Sequence, residues 1–263
     1  MTEIRYFQVS AFTDKLFAGN PAAVCLLDIM YKTEVLEQIA SENTLETVFI
    51  LNKGLNYEIR WFTHKTEIEF SGHATLAAAH VIFNELKHKF SDLTFKKKDG
   101  SVVRVSKRGD LLTLDMPVQP LEEIRMPPVL ITALGIMPLK VFSSGNDLMA
   151  VFETEAEVLE VKPNFKLLGN IMINGVIVTA PGNGCDFVSR YFFPTISINE
   201  DPVSGSPHIT LTQYWAAKLG RNELFARQLS ERGGKLLCRY KGSRVEVCGK
   251  AVTYISGKIT LNI

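Results

Sequence analysis

The sequence predicts an α+β protein of two pseudo-symmetric lobes, each a mostly antiparallel sheet or barrel wrapped around a central buried helix. Three observations predict it. Two helical stretches, His73 to Phe83 and Ile209 to Leu219, are apolar nearly all round, where a surface helix shows a single stripe. A similar order of strands and helices surrounds each of them. A segment from Met116 to Pro128 carries Pro117, Pro120, Pro127 and Pro128 and reads as the link between lobes. A helix apolar on every face implies a sheet that curls around it, because one open sheet face covers only part of a helix. The lobes are expected at 1–116 and 117–256, with a last strand over 257–263 able to join the first.

Taken in order, the first lobe is expected to hold strand Ile4 to Val9, a surface helix near Thr33 to Glu42 and strand Thr47 to Leu51. Hairpin arms Tyr57 to Phe62 and Glu67 to Phe70 follow, then the buried helix after Gly72 and strands Leu93 to Phe95, Val102 to Val105 and Leu111 to Met116. The second lobe is expected to hold strand Leu148 to Phe152, a helix near Ala156 to Leu168, and strands Val176 to Ala180 and Phe187 to Phe193. Its buried helix takes Ser206 as N-cap and Pro207 as first helical residue and stops at Gly220. Strands Lys235 to Tyr240, Arg244 to Cys248, Val252 to Ile255 and Ile259 to Ile263 close the chain.

Composition narrows the function. Of 263 residues 46% are hydrophobic and 22% charged, which excludes disorder as a whole. Net charge is +1, and the one short basic run, Lys96-Lys97-Lys98, reads as a solvated strand end, so no nucleic acid is expected as partner. No apolar run approaches the roughly 18 residues of a membrane helix. Met1-Thr2-Glu3-Ile4 lacks the flank and apolar stretch of a signal peptide, and a cytoplasmic protein is expected. Cys25, Cys185, Cys238 and Cys248 form no Cys-x-x-Cys pair and read as reduced, mostly buried small hydrophobes.

The chemistry gathers at the two buried helices. Each begins at a turn of small residues with polar groups beside it, Phe70-Ser71-Gly72-His73-Ala74-Thr75 and Asp201-Pro202-Val203-Ser204-Gly205-Ser206-Pro207-His208. A helix start presents unpaired N–H groups and the positive end of the dipole, so it attracts a carboxylate. Glycine at either start also reads simply as room for a tight turn. Glu46 precedes an apolar strand, where partial desolvation suits a carboxylate that shuttles a proton; local capping or pairing is the structural alternative. His73 at a helix N-terminus is expected to be neutral and hydrogen-bonded. His73 and His80 can share a helix face, but no carboxylate lies near them in sequence, and no metal is expected. No Walker loop, dinucleotide fingerprint, His-Glu-x-x-His or nucleophile elbow is present.

These residues resemble the phenazine-biosynthesis isomerase-like family of the diaminopimelate-epimerase-like fold. The resemblance is carried, in order along almost the whole chain, by Ala11-Phe12-Thr13 with Gly19-Asn20-Pro21-Ala22-Ala23-Val24, Glu46-Thr47-Val48-Phe49, Arg60-Trp61-Phe62-Thr63, Gly72-His73-Ala74-Thr75-Leu76, Asp186-Phe187-Val188-Ser189-Arg190, Glu200-Asp201-Pro202-Val203-Ser204-Gly205-Ser206 and Arg232-Gly233-Gly234. It implies an active site between the lobes and a homodimer. It implies that Glu46, His73 and Asp201 are catalytic and that Asn20, Ser71, Gly72, Gly205 and Ser206 bind a small carboxylate substrate. The implied reaction is an isomerisation that needs no cofactor: the glutamate removes a proton from carbon and a proton returns elsewhere on the substrate. The chain departs from the family's usual Asp, Ser and Pro at Ser10, Leu45 and His64. Epimerases and racemases of the same fold carry paired thiols, and the matching positions here hold Ser71 and Asp201. A hydroxyl is too weak a base to replace a thiolate, so inversion by two thiols is not expected. A two-base epimerase, a binding protein without turnover, and a hydrolase using Ser206, His208 and Asp201 are the alternatives; the last places its triad within one short segment, which hardly allows the required geometry.

Overall fold

A computed structural model describes residues 2–194 and 199–262; Met1, and Ile263 of the expected last strand, lie outside the described residues. The chain divides into two units, Met1–Asp115 with Cys248–Ile263, and Met116–Val247.

In the first unit β1 (Thr2–Ala11) and β2 (Asn20–Leu27) pair as a hairpin, and α1 (Thr33–Asn43) leads to β3 (Thr47–Asn52), parallel to β2. Strand β4 (Tyr57–Phe62) returns antiparallel, and the two-residue β5 (Glu67–Ile68) folds back on it. Helix α2 (Gly72–His80) follows; then β6 (Asp92–Lys96) lies parallel to β4, and β7 (Val102–Arg108) and β8 (Leu111–Pro117) continue antiparallel.

The second unit opens with β9 (Glu122–Ile124) and α3 (Pro128–Leu134), then repeats the scheme. Strands β10 (Lys140–Ser144) and β11 (Asp147–Val151) form the hairpin, α4 (Glu155–Glu160) and α5 (Phe165–Leu168) cross over, and β12 (Gly175–Pro181) runs parallel to β11. Strand β13 (Phe187–Phe192) returns antiparallel, α6 (Ser206–Leu219) follows, β14 (Glu223–Gln228) lies parallel to β13, and β15 (Gly234–Tyr240) and β16 (Arg244–Gly249) end the series. The last strand, β17 (Ala251–Leu261), pairs antiparallel with β1 from end to end, and β9 holds the same place beside β10.

The packing follows from which faces are apolar. Every residue of α2 is buried, and the helix lies against β1, β2, β3 and β17, so strands surround it. Helix α1 covers the opposite face with Leu36, Ile39 and Ala40 packed on Cys25, Leu27, Phe49 and Leu51. Strands covered on both faces lose the alternation of a half-buried strand. That is why β2, which opens Asn-Pro-Ala-Ala, was not legible.

Three expected elements take a different form. The helix expected across Ala156 to Leu168 is split into α4 and α5, because Pro163 can neither continue a helix nor let its predecessor adopt helical angles freely. The arm expected over Glu67 to Phe70 shrinks to β5. Gly257 lies inside β17 and does not precede a separate strand.

An arginine anchors each unit at the same point of the repeat. Arg60 on β4 donates to both oxygens of Glu67 at 2.7 and 2.6 Å and to Thr33 Oγ1, at the start of α1, at 2.8 Å. Arg190 on β13 donates to both oxygens of Glu200 at 2.8 and 2.9 Å and to the Val161 carbonyl, just past α4, at 2.8 Å. Each guanidinium also lies over the phenylalanine two residues on, Phe62 and Phe192.

Candidate active site

Glu46 owes its place to the way α1 ends. Thr44 caps the helix in the left-handed region at φ 59°, which turns the chain so that Glu46 precedes β3. Its backbone is locked by the Ala23 N–H, which donates to the Glu46 carbonyl at 2.9 Å. The side chain is 30% exposed, but Oε2 itself is buried. Oε2 lies 3.5 Å from His73 Nε2, too long for a formed hydrogen bond, and has no hydrogen-bond partner. A buried carboxylate oxygen without a donor is costly, and such an atom in a native fold calls for an explanation.

His73 is the second residue of α2. Ser71 is the N-cap: its Oγ accepts from the Ala74 N–H at 3.4 Å and lies 3.3 Å from His73 Nδ1. The Ser71 carbonyl accepts from Thr75 Oγ1 at 2.6 Å, and Thr75 Oγ1 accepts from Trp61 Nε1 at 3.1 Å. Trp61 and Thr75 therefore brace the turn that carries Ser71, Gly72 and His73. Gly72 is the first helical residue, so a left-handed turn is not what glycine supplies there. Asn20 opens β2 opposite Ala11 and is buried. It follows Gly19, whose φ is +68° and where a Cβ would stand 2.3 Å from the Ala11 carbonyl oxygen, so only glycine fits. The structure thus brings Glu46, Ser71, Gly72 and His73 together in the first unit.

Asp201, Gly205 and Ser206 belong to the second unit. Asp201 is buried, and its N–H donates to the Tyr191 carbonyl at 2.9 Å. Gln228 clamps the same loop twice: Nε2 donates to the Asp201 carbonyl at 2.7 Å and Oε1 accepts from the Ser204 N–H at 3.1 Å. The Arg232-Gly233-Gly234 motif serves this loop as well. A Cβ on Gly234 would stand 2.2 Å from Val203 Cγ2, and Ser230 Oγ donates to the Pro202 carbonyl while accepting from the Gly233 N–H. Gln228 was missed in the sequence because a glutamine in a strand has no local signature.

Gly205, not Ser206, is the N-cap of α6, and Pro207 is its second residue. Gly205 already has helical angles, φ −75° and ψ −37°, so the helix starts one residue early, and no side chain caps its first turn. Ser206 Oγ lies 3.2 Å from Ser204 Oγ and is exposed. His208 is fully buried and pushed down to about 4 by desolvation. Its Nδ1 donates to the Ser204 carbonyl at 2.6 Å, and Nε2 has no hydrogen-bond partner. Among the described residues no Ser-His-Asp relay is assembled around Ser206.

His80, at the far end of α2, is engaged by Thr253 Oγ1 at 3.1 Å and Asn84 Nδ2 at 2.9 Å. Among the described residues no group of three or more His, Cys, Asp or Glu side chains is placed to hold a metal ion, and no helix is long and apolar enough to cross a membrane.

Comparison with known proteins identifies the family. The family model described as "Phenazine biosynthesis-like protein" matches residues 9–257. An uncharacterized isomerase of Pseudomonas aeruginosa is 42% identical over 261 residues, covering 99% of this chain and all of that one. The crystal structure of a phenazine biosynthesis protein of the PhzF family from Enterococcus faecalis superimposes with a TM-score of 0.95 at 40% identity, covering 99% of this chain and 100% of the other. A predicted epimerase from Pseudomonas aeruginosa shares the fold at a TM-score of 0.73 and 17% identity, covering 98% of this chain and 100% of its own. The chain belongs to the PhzC-PhzF, phenazine biosynthesis-like family.

Proposed function

We propose that the protein is an isomerase that moves a proton on a small carboxylate-bearing substrate by general acid/base catalysis, with Glu46 as the base on carbon. The observation that carries this reading is the Glu46 carboxylate, whose Oε2 is buried without a hydrogen-bond partner 3.5 Å from His73 Nε2. Structural carboxylates of this chain look different: Glu67 and Glu200 are each gripped by an arginine. Catalytic hydrogen bonds are often long until substrate is in place, so the Glu46–His73 spacing suits a working pair. The uncharacterized isomerase of Pseudomonas aeruginosa supports the same reaction class.

In this proposal the α2 start, with Ser71 and Gly72, receives the substrate carboxylate through backbone N–H groups and the positive end of the dipole. Glu46 takes the proton from the carbon beside that carboxylate, the electron pair is delocalised into the unsaturated acid, and a proton is returned at another carbon. Asp201 is proposed as the second acid/base group, and Asn20, Gly205 and Ser206 as binding groups. No cofactor enters this chemistry, and the active form is proposed to be a homodimer.

General acid/base groups typically contribute about 10² to 10⁴ in rate, so Glu46→Gln should lose at least about 10² in turnover. The direct measurement is deuterium uptake at carbon from heavy water across a panel of small unsaturated acids. Uptake that persists undiminished in Glu46→Gln sinks the assignment. Uptake at a stereocentre with inversion would mark a two-base epimerase; no uptake together with a stable protein complex would mark a binding protein. The hydrolase reading needs His208 to serve Ser206, and the buried, unpartnered Nε2 of His208 speaks against it.

A further inference from the structure

We infer that Ser71 is a positioning residue that holds His73 in its Nε2–H tautomer, so that His73 meets Glu46 as a hydrogen-bond donor and never as a competing base. The argument is a count of protons around buried atoms. Ser71 is 7% exposed, and its hydroxyl has two polar neighbours among the described residues, the Ala74 N–H at 3.4 Å and His73 Nδ1 at 3.3 Å. The amide can only donate, so Ser71 Oγ accepts from it; the hydroxyl proton is then left with His73 Nδ1 as its acceptor. An imidazole that accepts at Nδ1 carries its proton at Nε2. Nε2 faces Glu46 Oε2 at 3.5 Å, the buried oxygen that lacks a donor.

The opposite tautomer fails at three atoms. With the proton on Nδ1, Ser71 Oγ would receive two donors and its own proton would have no acceptor. The Nε2 lone pair would then face the Glu46 carboxylate, lone pair against anion. One assignment satisfies Ala74, Ser71 and His73 Nδ1 and turns the Nε2 proton toward Glu46, and the other leaves conflicts in a buried place where unpaired polar groups are expensive.

The consequence is a division of labour. A neutral imidazole has one basic lone pair, and here the Ser71 hydroxyl covers it. His73 can therefore steady the Glu46 carboxylate but cannot take a proton from carbon. Glu46 takes the carbon proton while His73 keeps its own. This catalytic meaning rests on the proposed role of Glu46; the tautomer itself does not.

The test separates the two. Long-range proton–nitrogen correlation spectra of the full ¹⁵N-labelled chain at pH 8, with the His73 signals identified by His73→Gln, report which ring nitrogen carries the proton. The expected result is Nε2–H in the native protein and in Ser71→Thr, which keeps the hydroxyl. In Ser71→Asp, which caps a helix as well as serine but cannot donate, Nδ1 should become protonated. If that variant does not fold, Ser71→Ala serves, with a mixture of tautomers expected. A proton on Nδ1 in the native protein, or a His73 state that is the same with and without a donor at position 71, overturns the proposal. Because Ser71 also belongs to the proposed binding turn, the two variants are compared with each other: kcat should fall at least about tenfold further in Ser71→Asp than in Ser71→Thr. Spectra as expected with equal kcat in the two variants would overturn the division of labour between His73 and Glu46 and leave the tautomer standing, whereas the Glu46 reading itself fails only with Glu46→Gln.

Discussion

At the scale of single residues, the motifs shared with the family divide into groups with chemistry to do and groups that leave room. Glu46, His73 and Ser71 are of the first kind; Gly19 and Gly234 are of the second, because other atoms occupy the space a side chain would need. Gly19→Ala should therefore cost several kcal/mol, since it combines positive φ with a backbone clash. Gly109→Ala, at φ +60° with nothing within 4 Å, should cost only about 1 kcal/mol. Urea unfolding of both variants checks the contrast, and equal losses would show that the Ala11 carbonyl yields. Glu46 stood out as a candidate because a lone acid precedes an apolar strand, and Ser71 and His73 because they open an apolar helix. Their mutual distances were not legible, since β3 and α2 are set side by side only by the sheet.

At the scale of elements, the two anchoring arginines are the strongest polar feature of the repeat. Both arginine and glutamate appear in the sequence, yet Arg60 and Glu67 are joined only because β5 folds back on β4. Arginine's planar fork makes both bonds at once, and lysine is a single point charge. Arg60→Lys should destabilise by about 1 to 3 kcal/mol, and Arg60→Ala by more, because Glu67 is left partly buried with only the exposed Lys98 at 3.5 Å. Denaturant midpoints of the two variants test the order. Helix α4 gives a milder case: Thr154 and Glu157 form a reciprocal capping box, and Thr154→Ala should cost about 1 kcal/mol. The sequence placed the start of this helix near Ala156, without its Thr-x-x-Glu cap; the early start of α6 at Gly205 also escaped, because Ser206 and Pro207 make an equally good local start one residue later.

For the molecule as a whole, pH dependence in the second unit should come from two buried groups of opposite sign. His208, at about 4 when folded against 6.5 when unfolded, binds fewer protons in the fold, so its contribution is complete above about pH 6.5 and is lost as pH falls through 4. Asp147 is raised by desolvation from 3.8 to about 6 although Tyr191 donates to it at 3.0 Å. It binds more protons in the fold, so stability declines as pH rises from about 3.8 through 6. Each amounts to roughly 3 kcal/mol, and between about pH 4 and 6 the two slopes nearly cancel. Single variants uncover them. Relative to the native protein, His208→Asn should lose stability on going from pH 4 to 7, and Asp147→Asn should gain it. Unfolding free energies at four pH values decide the matter, and variants that keep the native pH profile would refute the assignment.

What the sequence by itself determined is whatever is written locally: two helices apolar on every side, the repeated order of elements, the family motifs, and the polar turns that open α2 and α6. These survive because burial all round and helix starts are properties of a few consecutive residues. Only the tertiary structure decided the pairing of β17 with β1, the grip of Arg60 on Glu67 and of Arg190 on Glu200, the hold of Gln228 and Gly234 on the Asp201 loop, and the approach of His73 to Glu46. Most join residues distant along the chain, and even Arg60 and Glu67, seven apart, meet only because the strand turns back on itself. No local pattern records such a partner, because strand order and register are settled by how the whole sheet closes around its helix.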